Sequence, residues 1–137
     1  VRIRSYQPGD RDSLEQLWAR VFPDDPPRNA PSALIDNKLT VQPELLLVAE
    51  STATLAGAVM AGFDGVRGWI HHLAVAPEFR RQGVATQLVR AAEHGLRALG
   101  CPKVNLQIRA SNREVVAFYQ TLGYELEERV SMGRPLT

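Results

Sequence analysis

Apolar residues recur along this 137-residue chain in two rhythms, and each change of rhythm marks the start of a new element. At the N-terminus Val1 and Ile3 alternate with Arg2 and Arg4, which predicts a short strand over Val1 to Tyr6, closed by Pro8-Gly9. From Asp10 the rhythm turns helical. Leu14, Leu17, Trp18 and Val21 fall at i, i+3, i+4 and i+7, with Asp10 or Asp12 as the capping residue. Pro23-Asp24-Asp25-Pro26-Pro27 must be loop. A second helix is expected from about Pro31 to Thr40, with Pro31 in its first turn and Leu34, Ile35 and Leu39 turned inward.

Leu45 to Glu50 and Leu55 to Phe63 read as strands joined by a turn at Ser51-Thr52-Ala53-Thr54, and Trp69 to Val75 follows a turn at Asp64 to Gly68. Three antiparallel strands in series is the economical reading. After Gly83 a long helix carries Val84, Leu88, Ala91, Ala92, Gly95 and Leu99 on one stripe, and Gly100 and Pro102 end it. Lys103 to Arg109 is the next strand, with Val104, Leu106 and Ile108 on one face. Strand, helix and strand make a right-handed crossover with parallel strands. Ser111 stands three residues before Glu114, a capping-box spacing that opens a helix with Val115, Phe118, Tyr119 and Leu122 inward. Gly123 stops it, and Tyr124 to Glu128 and Val130 to Arg134 are expected to close the sheet as two further strands.

Composition narrows the class. A chain of this length supports one core and no second domain is expected; its apolar share of 45% and charged share of 23% are ordinary for a globular protein. Net charge is +1 with basic residues dispersed, so no nucleic-acid partner is expected. No apolar run approaches the length of a membrane span. Cys101 is the one cysteine, unable to form an internal disulfide or to build a metal cage alone, which fits a reducing cytoplasm and a protein that needs no metal.

The chemistry concentrates just after Val75. Pro77 cannot donate to a sheet ladder and the helical pattern starts near Gly83, which leaves the backbone N–H groups of Arg81, Gln82, Gly83, Val84, Ala85 and Thr86 at a helix N-terminus. Such a terminus favours an anion. Arg80 and Arg81 add positive charge, and Gly83 and Ala85 keep the approach open, so a phosphate or pyrophosphate is the expected ligand. Neither a P-loop nor a Rossmann glycine pattern is present to account for it. Gly62, Gly65 and Gly68 read as turn residues.

Arg80-x-x-Gly83-x-Ala85 after Leu73-Ala74-Val75-Ala76-Pro77, then Asn112, then Ala117-Phe118-Tyr119-Gln120-Thr121-Leu122-Gly123-Tyr124, resembles the two signatures of the GNAT superfamily of N-acetyltransferases. The first signature is a Gln or Arg three residues before a Gly that precedes a small residue by two. The second is an Asn seven residues before the Tyr of a Tyr-x-x-Leu-Gly-aromatic segment, and both are here in order. The chain is similar to small bacterial YpeA-like members, and Arg109-Ala110-Ser111-Asn112 resembles the ribosomal-protein N-terminal acetyltransferases. The resemblance implies a single α/β domain over 1–137 with the GNAT fold: a mixed six- or seven-stranded sheet, a splayed parallel pair and helices on both faces. It also implies acetyl-CoA as donor, its pyrophosphate on the N–H groups of residues 81–86 and its pantetheine arm along Leu73, Ala74 and Val75, where that strand diverges from Lys103 to Arg109. Asn112 matches the position that contacts the cofactor arm, and Tyr119 the one that protonates the departing thiolate.

Direct acetyl transfer needs an uncharged amine, donors for the oxyanion and an acid for the thiolate. Backbone N–H near Val75 is the oxyanion candidate. The Tyr119 phenol is the candidate acid, its competing role being that of a buried core tyrosine. In the ribosomal-protein enzymes a Glu stands five residues before the motif Asn, but Gln107 occupies that place and cannot take up a proton. His71 matches a strand position where other members, including the arylalkylamine acetyltransferases, carry a His. Strict alternation puts His71 on the face of Leu73 and Val75, and an imidazole pKa of about 6.5 suits proton uptake. A structural, hydrogen-bonded strand histidine is the competing reading; His72 is assigned to the opposite face and His94 to solvent. Neutralising a lysine amine at pH 7 costs about 4.6 kcal/mol against about 1 kcal/mol for an α-amine, so a small amine or peptide α-amine is favoured as acceptor. The partners expected are acetyl-CoA and an amine, on a monomer or homodimer. The alternative is a catalytically silent acyl-CoA-binding regulatory module, which Gln107 keeps open.

Overall fold

The alternating apolar runs become β2 (Leu46–Ser51), β3 (Thr54–Phe63) and β4 (Gly68–Val75), antiparallel in series as expected. β1 (Arg2–Ser5) adds antiparallel to β2 at one edge and β5 (Val104–Asn105) adds parallel to β4 at the other, so the sheet runs β1-β2-β3-β4-β5. The computed structural model describes residues 1–52 and 54–137. The expected turn at 51–54 therefore includes Ala53, which lies outside the described residues, although Ser51 and Thr54 pair with each other. Residues 1–107 make one compact unit and 108–137 another.

Alternation along β3 assigns the faces of the first unit. Ala58 and Met60 enter a core with Leu14, Leu17 and Trp18 of α1 (Arg11–Val21) and Ile35 of α2 (Pro31–Lys38). Gly57, one residue out of phase, meets α3 (Val84–Ala98) on the other face. A Cβ at Gly57 would stand 2.7 Å from the Ala74 carbonyl oxygen and 3.0 Å from Leu88 Cδ1, so the missing side chain is what lets helix and sheet approach. α3 buries Val84, Leu88, Val89, Ala92 and Leu96; of the expected stripe Ala91 and Gly95 are half-buried and Leu99 is exposed. The i+4 row from Val84 through Leu96 decides the buried side, and the break at Gly100 turns Leu99 outward.

Asp10 caps α1 by position, yet its carboxylate serves β1: it accepts from Arg4 Nη1 at 2.7 Å and Nη2 at 2.9 Å, and from the Gln7 N–H at 2.8 Å. Arg4 also reaches Glu50 at 3.0 Å, so one guanidinium ties β1 to β2 and to the start of α1. The Arg4 hydrogen bonds hold the Asp10 carboxyl below its ordinary range against the opposing effect of burial. A carboxyl with a lowered folded-state pKa stabilises above its unfolded pKa, and that contribution is lost as pH falls through the folded value.

The second unit holds α4 (Arg113–Thr121), capped by Asn112, whose side-chain oxygen accepts the Val115 N–H at 3.4 Å. The helix starts one residue later than the Ser111–Glu114 spacing predicts. Gly123, with φ +97°, ends it, and the Tyr124 N–H returns to the Tyr119 carbonyl at 3.1 Å.

Among the described residues the sheet has five strands, not six or seven. Lys103 to Arg109 contributes only Val104 and Asn105, and Tyr124 to Glu128 and Val130 to Arg134 carry no strand. Leu126, Val130 and Met132 are 77%, 89% and 92% exposed. Alternation there has no face to bury, and an alternating segment without a packed face is not held as strand.

Candidate active site

β4 has strand neighbours on both sides for only its first two residues. Gly68 and Trp69 pair with Val104 and Asn105 of β5, whereas the pairs with β3 continue to Val75. From Ile70 to Val75 the outer edge has no strand partner among the described residues. The Ala76 N–H donates to the Ala56 carbonyl at 2.8 Å, so the alternation of an antiparallel ladder turns the N–H and C=O of Val75 toward that outer edge. Consistent with this, Arg80 Nε donates to the Val75 carbonyl at 3.3 Å. The Val75 N–H faces the same way.

That edge runs into a tight loop and then into α3. Arg81 has φ +63° and Gly83 φ +78°, both left-handed. For a residue with a side chain such a backbone costs about 1–2 kcal/mol, strain of the kind kept where it shapes a site. Gly83 is the N-cap residue of α3 and no side chain caps the helix. Nothing lies within 4 Å of the place a Gly83 Cβ would take, so glycine is needed here for its φ and leaves the space in front of the terminus open. Arg80, Arg81, Gln82 and Gly83 are exposed, Ala85 and Thr86 half-buried, and Val84 turns its side chain into the core. The first N–H groups of α3 have no intrahelical acceptor. Guanidinium charge, an uncapped terminus and open space suit a pyrophosphate, and the outward Val75 N–H suits an amide-bearing arm beside it; these residues fit coenzyme A.

Between His71 and Ala74 the strand is irregular. Ala58 pairs with Ala74 and Met60 with His71, so Val59 alone stands opposite His72 and Leu73. This is a β-bulge in β4, with His72 at φ +52°. It overturns the expected shared face of His71 and Val75. His71 stands opposite Met60, on the α1 and α2 side, while Val75 stands opposite Gly57, on the α3 side. The extra residue of the bulge inverts the parity. His72 is not on the face opposite His71 either: its ring meets Trp18 and Phe22 edge-on, its Nε2 lies 2.8 Å from Asp25 Oδ2, and its carbonyl accepts from Trp18 Nε1. Leu73 is half-buried in the bulge and Ala74 is buried.

His71 stacks on Trp69 with ring centroids 6.4 Å apart. Although the side chain reaches the surface, the protein around the ring lowers its pKa by desolvation, with electrostatic repulsion from the neighbouring basic side chains, Lys38 among them, adding to the effect. His71 is therefore neutral at pH 7, the form that can accept a proton. In the second unit, Tyr119 is buried and meets Phe118 and Tyr124 edge-on, and burial pushes its phenol up to about 12. Asn112 is exposed and caps α4. Asp25, Lys38 and Gln42 were not singled out by the sequence. None sits in a motif, and each acquires its partner only through tertiary structure.

The sequence profile of the acetyltransferase (GNAT) family matches residues 11–124. The chain belongs to this family. An acetyltransferase of Yersinia enterocolitica is 38% identical over 138 residues, covering 99% of this chain and 96% of the relative. One of Pectobacterium atrosepticum matches to the same extent. Among solved structures, Ard1 from Thermoplasma volcanium has a TM-score of 0.81 at 24% identity over 92% of this chain and 83% of its own. AAC(6')-Iy in complex with a coenzyme A bisubstrate analogue has a TM-score of 0.82 at 23% identity over 99% and 98%. At that identity the two structures establish the GNAT fold and nothing narrower. This GNAT protein is an N-acetyltransferase. No helix among the described residues is long and apolar enough to cross a membrane, and no group of three or more metal-ligating side chains occurs among them.

Proposed function

We propose that this GNAT enzyme moves an acetyl group from acetyl-CoA to a small amine or a peptide α-amine by direct attack of the amine on the thioester. The observation that carries the reading is the outer edge of β4, without a strand partner among the described residues from Ile70 onward and leading straight into the uncapped N-terminus of α3. Leu73, Ala74 and Val75 offer that edge to the pantetheine arm, and Arg80 to Thr86 take the pyrophosphate. The outward Val75 N–H is placed to stabilise the negative charge that develops on the thioester oxygen. His71, held neutral, receives the proton that the amine releases.

Asn112 and Tyr119 enter by family resemblance. Asn112 contacts the cofactor arm, and the Tyr119 phenol, protonated throughout the working pH range, donates to the departing thiolate. Gln107 offers no second base, which favours acceptors that are already partly neutral at pH 7.

Titration calorimetry on Gly83→Glu tests the donor site. A carboxylate in front of the α3 terminus is expected to weaken acetyl-CoA binding at least 100-fold, through charge repulsion and occupation of the anion site. Wild-type affinity in this variant would overturn the assignment of residues 80–86. Tight acetyl-CoA binding by the wild type without thiol release across an amine panel would instead assign the chain to a silent, acyl-CoA-binding role.

A further inference from the structure

β3 outruns its neighbour. The pairing with β2 begins at Leu46 opposite Met60, yet β3 continues to Phe63. Two side chains take over from the absent strand. Lys38, at the end of α2, donates from Nζ to the Ala61 carbonyl at 2.6 Å. Gln42 brackets Phe63, its Nε2 donating to the Phe63 carbonyl at 2.9 Å and its Oε1 accepting the Phe63 N–H at 2.8 Å. Between these contacts sits Gly62, whose absent Cβ would point at Lys38 Nζ from 3.5 Å.

Lys38 therefore lies beside the wall that carries the candidate base. Gly62 pairs with Trp69 and Met60 with His71, so the stacked Trp69 and His71 rings share the sheet face toward which Gly62 directs Lys38. An ammonium has three donors, and one is taken by Ala61. No carboxylate among the described residues lies within ion-pair distance of Lys38. Asp64, the acid nearest along the chain to Trp69, is occupied: it accepts from Val66 and Arg67 N–H with one oxygen and from Trp69 Nε1 with the other. Burial lowers the Lys38 pKa, with the Glu44 charge opposing, and an anion docked on the ammonium would reverse that shift.

We propose that Lys38 is the specificity residue for an acidic acceptor: the amine acetylated here also carries a carboxylate, as a free amino acid or short acidic peptide does, and that carboxylate pairs with Lys38 while the amine faces His71. This rests on the reading of the His71 wall as the acceptor side. Its chemistry disfavours polycations such as polyamines and aminoglycosides, because the wall presents a half-buried cation, the Asp64 carboxylate is occupied, and Glu44 acts on Lys38 through its charge without pairing with it. A hydrogen bond to Ala61 fixes the ammonium, so the acceptor does not have to order a free lysine side chain.

The test measures acetyl-CoA-dependent thiol release with matched pairs of free amino acids and their carboxamides, alongside spermidine and an aminoglycoside. Wild type is expected to prefer acid over amide at least tenfold in kcat/KM, and to use both polycations worse than either. In Lys38→Met, KM for the acid should rise at least tenfold with kcat within threefold, KM for the amide should stay within twofold, and Lys38→Arg should recover part of the preference. A merely structural lysine would instead lower activity on acid and amide alike. Equal use of acid and amide by the wild type, or a preference for polycations, overturns the proposal and needs no variant to fold. Thiol release with no amine at all, acetyl-CoA still binding, would overturn the acetyl-transfer reading and this proposal with it; transfer without acid preference overturns this proposal alone.

Discussion

The two ends of β4 handle their backbone groups in opposite ways. At Gly68 and Trp69 the strand is flanked on both sides, by β3 and by β5, and the neighbouring end of β3 is closed off by Lys38 and Gln42. At Ala74 and Val75 only the β3 side has a strand partner among the described residues, the outer Val75 carbonyl being met by Arg80 alone, and the strand leads into a helix terminus with no side-chain cap. One end presents side chains and the other presents main chain. A cofactor recognised by main-chain groups needs little beyond a permissive backbone, so its site tolerates change in the side chains around it. An acceptor recognised by Trp69, His71 and Lys38 depends on which side chains stand there.

Three substitutions bear on this division. Tyr119→Phe should have the largest effect, a loss of about 10²-fold in kcat with the calorimetric affinity for acetyl-CoA unchanged, because a general acid acts on chemistry and not on donor binding. An unchanged kcat between pH 6 and 9 would remove Tyr119 from the mechanism. Next, Gly57→Ala forces a methyl against the Ala74 carbonyl at 2.7 Å and should destabilise by about 2 kcal/mol in urea unfolding. Because the clash lies at the main-chain end of β4, acetyl-CoA affinity should fall while the acceptor KM holds; the reverse pattern would break the comparison. The smallest effect is expected at the other end. His71→Gln should lower kcat/KM about tenfold at pH 7. In the wild type a base whose pKa is lowered gives an activity that is full at pH 7 and falls as pH drops through a value below about 6.5, and the variant should lose that acid limb. An unaltered limb would assign the proton to another group.

What could be read in the sequence follows the same split. The uncapped helix start at Gly83 was legible because a glycine at a strand-to-helix junction has a backbone meaning that survives without tertiary context. The strands β2, β3 and β4 and the inward faces of α1 were legible for the same reason, as periods of local geometry. The bulge was not. One extra residue in Ile70-His71-His72-Leu73-Ala74 leaves the composition of the strand as it was and shows only in which β3 residue each one meets. The closing strands were over-read, since Leu126, Val130 and Met132 alternate without anything to cover them. Lys38 and Gln42 stood in a stretch with no motif, because their function as surrogates for a missing strand depends on where β2 begins.

The bulge also changes what kind of mutation this strand can accept. A substitution at His72 alters one side chain, and its left-handed φ would favour glycine there. Deleting a single residue at 72 would instead restore strict alternation, with Leu73 alone opposite Val59 and His71 still opposite Met60 on the α1 and α2 side. The extra residue is thus an insertion the strand absorbs locally: it seats the His72 ring against Trp18, Phe22 and Asp25 while His71 and Val75 keep the faces that their β3 partners set.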